Sequence, residues 1–141
     1  MTYIREDQAD IGLSVDGAAF GDGNSWCTYT GGALTAADAK TRPGGMGKEI
    51  NIGGPAARGD ATLTIQNSDV MVGQHPKLED RVGKGRAVVS IQYLDIEGIA
   101  IPGASFRVTG RVKEAHLPDV NFDSGTQGMY TVVVGCDERR A

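Results

Sequence analysis

Cysteine, histidine and proline are scarce in this 141-residue chain, with 2, 2 and 5 copies. Scarcity of the first two removes most metal chemistry. Cys27 and Cys136 lie far apart, and neither stands at ligand spacing from His75 or His116, so the pattern assembles no zinc site. The thiols read either as two free groups in a reduced compartment or as one disulfide stapling the ends of the fold. Few prolines beside 21 glycines, with no three-residue period, exclude collagen. No apolar run approaches the ~20 residues that a bilayer-spanning helix needs. The first ten residues carry Glu6, Asp7 and Asp10, unlike a secretory signal. Positive charge is also in deficit, 14 Lys+Arg against 18 Asp+Glu, and residues 1–25 carry a net −4, equal to that of the whole chain. That balance lacks the electrostatic footprint of a protein that grips nucleic acid phosphates.

Motifs that would carry chemistry are missing as well. Gly47-Lys48 is followed by Glu49 and Gly83-Lys84 by Gly85, and neither pair has the upstream glycine of a phosphate loop. Ser105 and Ser124 stand outside any GxSxG elbow, and read as an outward strand residue and a loop residue. Asp16, Asp22 and Asn24 lack the closing glutamate of a calcium loop and read as solvated turn residues. The expectation is a non-enzymatic chain without cofactor or metal.

What is present is period-two alternation. Ile11, Leu13 and Val15 alternate with small or polar neighbours, as do Leu63 and Ile65, then Val89, Ile91 and Tyr93. Phe106, Val108 and Val112 alternate with Ser105, Arg107, Thr109, Arg111 and Lys113. Each pattern is that of a half-buried strand. The valine-rich run 129–134 predicts a central strand covered on both faces, and Ile50/Ile52 a short strand before a turn. One helix of about two turns is expected, with Pro76 in its first turn, Leu78 and Val82 four apart, and Gly83 and Gly85 closing it. The fold class is therefore mainly β: two packed antiparallel sheets of six to seven strands, sandwich or barrel-like, with the helix plugging an end or side. One domain is expected over 1–141, with 1–10 a flexible N-terminal segment.

Residues 30–48 form the anomaly. They have no sustained apolar period, and a connection so long is uncommon in a compact domain unless functional or disordered. They read as an extended arm, out and back, turning near Pro43-Gly44-Gly45. Trp26 and Tyr29 stand at its root as core or anchoring residues, or as a stacking platform. Arg107, Arg111 and Lys113 share one strand face without the interleaved aromatics of a nucleic-acid stripe. They read as a polar outer face, or as one paired with acids of a neighbouring subunit.

The order of features resembles bacteriophage tail tube (major tail) proteins, particularly those of long non-contractile tails. The resemblance spans residues 25–138. It rests on the Trp26/Tyr29 strand, an arm carrying Arg42-Pro43-Gly44-Gly45-Met46, Gly53-Gly54, and a threonine-rich strand entering a helix through Asn67-Ser68-Asp69. It continues through Gly83-Lys84-Gly85, Tyr93-Leu94-Asp95 with Gly98, the 106–112 strand, Pro118, Asp123-Ser124 and a terminal strand. The resemblance implies a structural virion protein: hexameric rings stacked into a hollow tail tube, with the tape measure protein in the lumen and DNA passing without specific binding. It implies synthesis in the host bacterial cytoplasm and an arm that touches the neighbouring subunit. Interface candidates are Arg42, Pro43, Gly44, Gly45 and Met46 at the arm tip, with Arg107, Arg111 and Lys113. Related tubes in contractile tails and injection systems, another tail ring, or a monomeric β-barrel binding module are the alternatives. An acidic chain suits a conduit that must not bind DNA. The basic face departs from that expectation, so lumen residues stay unassigned.

Overall fold

The computed structural model describes the chain except residues 1, 2, 6, 22–25, 37–39, 42, 43, 45, 46, 49, 52, 54, 55, 121, 124 and 138–141. The fold is mainly β, antiparallel throughout, with one helix among the described residues, as the alternation requires. Seven strands make the main sheet: β1 (Ala9–Val15), β2 (Ala18–Phe20), β3 (Thr28–Gly31), β8 (Ala61–Gln66), β9 (Arg86–Leu94), β10 (Ala100–His116) and β11 (Met129–Cys136). Their spatial order is β2-β1-β9-β10-β11-β8-β3. The sheet rolls so that its edges approach: the Trp26 N–H donates to Ile11 O (3.1 Å) and the Cys27 N–H to Thr64 O (2.8 Å), bridging β1 to β8. Its halves thus face each other across a shared core of Leu13, Val15, Leu63, Ile65, Val89, Val108, Val112, Tyr130, Val132 and Val134, all nearly or wholly buried. Trp26 belongs to this core, its indole N–H donating to Phe20 O at 3.1 Å.

The helix, α1 (Asp69–Arg81), is longer than expected and starts earlier. Ser68 is its N-cap, the hydroxyl accepting from the Met71 N–H at 3.4 Å. Pro76 is an interior residue rather than a first-turn one. The helix spans one end of the rolled sheet. Its entry is tied to β11 by the Asn67 N–H on Gly128 O (3.0 Å), and its exit to β10 by the Gly83 N–H on Val112 O (2.7 Å). Met71 and Leu78 point into the core and are fully buried.

One other expectation changes. β11 is central in order but alternates: Tyr130, Val132 and Val134 are buried, while Met129, Thr131 and Val133 are half-buried. Its apolar run is covered on one face, not both. Cys27 and Cys136 are free thiols, the former exposed.

Candidate assembly surfaces

Between β3 and β8 the chain runs out and back as paired strands. β4 (Leu34–Ala36) pairs with β7 (Ala56–Arg58), and β5 (Lys40–Thr41) with β6 (Ile50–Asn51). This is the expected arm, built as a ribbon. Leu34, Thr35, Ala36, Ala56 and Ala57 are all exposed, so neither face of its inner part is covered. Its root is fixed tightly. Arg58 donates to Gly32 O at 2.9 Å, and its guanidinium lies over the Phe106 ring, 5.5 Å from the centroid. Gly31 takes φ +84°, and a Cβ there would overlap the carbonyl oxygen of Asp60. At the tip, Gly44 is an exposed turn residue with φ +66°. Arg42, Pro43, Gly45 and Met46 lie outside the described residues.

Arg107 and Arg111 stand exposed on the outer face of β10, and neither has an ion-pair partner among the described residues. Lys113, which follows them, is exposed but engaged. The β10–β11 register shifts between Val112 and Glu114, leaving Lys113 as the extra residue of a bulge. There its ammonium bonds Asp60 at 2.7 Å, which raises the Lys113 pKa, the hydrogen bond first and the carboxylate's charge second. Arg111 faces Arg86 across the strands, a like-charge pairing eased by Asp137, which holds Arg86 at 2.9 Å. Between the arginines Thr109 is buried, its hydroxyl donating to Asp137 at 3.3 Å.

The rest of this outer face is different in chemistry. Across β3, β8 and β11 the register makes two rows, Thr28–Thr64–Thr131 and Thr30–Thr62–Val133. The rows end on β10 at His116 and Glu114 respectively. Thr28 and Thr64 share a hydrogen bond between their hydroxyls.

Strand directions sort the exposed apolar side chains by end. Tyr3 and Ile4 before β1, Leu34 on the arm, and Ile96 and Ile99 between β9 and β10 lie at the end opposite the helix. Val120 and Phe122, between β10 and β11, lie at the helix end and are 83% and 99% exposed. One cluster escaped sequence reasoning altogether. His75 Nδ1 shares a 2.6 Å hydrogen bond with the Tyr130 hydroxyl, and its Nε2 meets Glu79 at 2.8 Å. Burial, with Glu79 adding a smaller push, raises the Tyr130 pKa to about 12. The four-residue step from His75 to Glu79 was a readable helical signal, but Tyr130 is 55 positions away. This cluster joins helix to core. Two open grooves among the described residues, about 420 and 430 Å³, are lined by Phe20, Lys77 and Arg81, and by Tyr29, Ile91 and Tyr93, respectively. Among the described residues no group of three His, Cys, Asp or Glu could hold a metal ion.

The fold is shared with chains in solved assemblies. A chain in the cryo-EM structure of the anti-feeding prophage baseplate, symmetrised six-fold, matches with TM-score 0.72 at 14% identity, covering 97% of this chain and 93% of that one. A chain in the extended-state sheath–tube complex of an extracellular contractile injection system, PVC, gives 0.68 at 12% identity, covering 91% and 84%. A chain in the anti-feeding prophage cap, which terminates its tube, gives 0.71 at 10% identity, covering 100% and 93%. No protein-family model and no curated protein matches the sequence. At such identities the likeness is one of fold.

Proposed function

We propose that this chain is a structural subunit that self-assembles into hexameric rings stacked as the tube of a tail-like injection apparatus. The observation that carries the proposal is the arm. A paired ribbon projects from a fixed root, and the residues described on its inner strands β4 and β7, apart from Arg58, are exposed. Burial against another copy is the use such a surface is suited to. Support comes from the near end-to-end match with chains of a baseplate and a sheath–tube complex. The contractile type is better supported than the long non-contractile tail, because a contractile injection system is among the structures that share the fold. The remaining parts of the reading follow from the tube. The lumen holds a tape measure protein or passing cargo, the particle is virion-like, and Arg42, Pro43, Gly44, Gly45, Met46, Arg107 and Arg111 are contact residues. Lys113, engaged by Asp60, contributes through the bulge rather than as a free charge.

Deleting residues 37–47 and bridging the gap with two glycines tests the proposal. A surface loop tolerates such shortening. An assembly arm should instead leave a folded monomer, strand-rich by circular dichroism, that makes no rings or tubes in negative-stain micrographs. Normal tubes from the deletion, or no tubes from the intact chain, would overturn the reading.

A further inference from the structure

The two threonine rows have a composition that suits neither an outer surface nor a subunit contact. Of Thr28, Thr64, Thr131, Thr30, Thr62 and Val133, none is charged, although 23% of the chain is. Solvent-facing positions of a soluble protein ordinarily intersperse charges of both signs. Contact patches, for their part, anchor on Trp, Tyr and Arg, with Thr and Val under-represented. Charge returns at the margins: at Asp60, just before β8 and paired with Lys113, and on β10, where the rows meet His116 and Glu114 and where Arg107 and Arg111 begin the basic half of the face. β-Branched side chains have few rotamers, and the Thr28–Thr64 hydroxyl pair is held by its own hydrogen bond. The result is a stiff, wettable and neutral wall. It offers a passing chain neither an opposite charge nor an apolar groove to lodge in.

We infer that this face of β3, β8 and β11 lines the water-filled bore of the ring, as a surface along which cargo moves without docking. The inference rests on the tube reading and adds to it the identity of the wall. It also resolves the place of the basic residues: Arg107 and Arg111 lie beyond the rows, on the half of the face that turns toward a neighbouring copy.

Single cysteines placed at Thr64 or Thr131 in a Cys27→Ser background test it, with labelling of the background protein subtracted. Each variant is treated as free subunits and as assembled tubes, with N-ethylmaleimide and with a polymer-linked maleimide of several kilodaltons. A bore position should react with the small reagent in both states. With the polymer it should slow on assembly by roughly an order of magnitude, since access to the thiol governs the rate. Unchanged polymer labelling would put the face on the outside of the tube, and loss of both reactions would put it in a subunit contact. Either result overturns the inference while leaving the tube intact. Absence of tubes from the unsubstituted chain would instead sink the tube reading itself. Two positions guard against one substitution that blocks assembly.

Discussion

Tyr130 shows how a single buried hydroxyl couples this fold to pH. Its pKa rises from 10.0 to about 12 because the charged phenolate loses its hydration in the core. The folded state therefore holds the proton more tightly than the unfolded one. The associated stability is fully present below about pH 10 and drains away as pH climbs toward 12. Melting temperature measured across that interval should fall steeply, and Tyr130→Phe should flatten the fall. At neutral pH the same variant should lose about 1 kcal/mol, having given up the hydrogen bond to His75. A fall of equal steepness in Tyr130→Phe would show that other groups set the alkaline limit. A second residue-scale test concerns the arm root. Gly31→Ala places a Cβ at positive φ and against the Asp60 carbonyl, so it should destabilise by more than about 1 kcal/mol. Gly59, with nothing near its missing Cβ, is the matched control and should accept alanine with little change. Equal denaturant midpoints for the two variants would refute the account of the root.

At the scale of elements, α1 is stable despite its sequence rather than because of it. Pro76 has no N–H for the Val72 carbonyl, and it is exposed, so it contributes little packing in return. Pro76→Ala should raise stability by up to about 3 kcal/mol, whereas Ser68→Ala should lower it by about 1 kcal/mol through loss of the cap. Chemical denaturation of both variants checks the signs; a Pro76→Ala protein less stable than its parent would contradict the account. The same proline explains why the helix start was not legible. A proline near a periodic pair reads as a first turn, and Gly73 weakens the propensity upstream of it. The longer strands with a buried face were legible, since Phe106, Val108 and Val112 must alternate to reach the core, whereas the three-residue β2 was too short to show a period. Of the arm strands only Ile50/Ile52 was legible, found as β6. Leu34–Ala36, Ala56 and Ala57 are exposed, and a strand without a covered face leaves no alternation to read. Lys113 differs from the arginines for another reason: as the extra residue of a bulge it meets Asp60, a partner 53 positions away that its own strand does not encode. The threonine rows depend on register across three strands, which no single stretch of sequence encodes.

On the scale of the whole molecule the charges are divided rather than balanced. The N-terminal segment is acidic, with Asp10 exposed on β1, and the unpaired arginines stand on β10. If copies join through these opposite charges, assembly should weaken as salt rises, because exposed pairs are screened over about 8–10 Å at physiological ionic strength. Arg111→Glu should then reduce the yield of tubes sedimented at low salt and remove most of the salt dependence. Tubes that form equally well from the variant at low salt would exclude Arg111 from the contact. Melting temperature of the free subunit should scarcely change, since Arg111 has no ion pair among the described residues to lose and faces Arg86.

The nested pairing of the arm bears on how the chain finds its fold. Thr41 pairs with Ile50, Lys40 with Asn51, Leu34 with Arg58 and Gly31 with Ala61, each pair enclosing the one before. Closure can therefore proceed by zippering from the turn at Gly44, one short step at a time. β1 has no such route, since Val15 must wait for Ala87 and Ala9 for Tyr93. The capture of the first strand by β9, like the pairing of β8 with β11, is therefore expected to come later than the closing of the arm. Because the entropy of closing a loop grows only with the logarithm of its length, about 0.6 kcal/mol for each doubling, the fold sets almost no limit on how long the arm is. Its reach is free to be fixed by the distance to whatever it must touch.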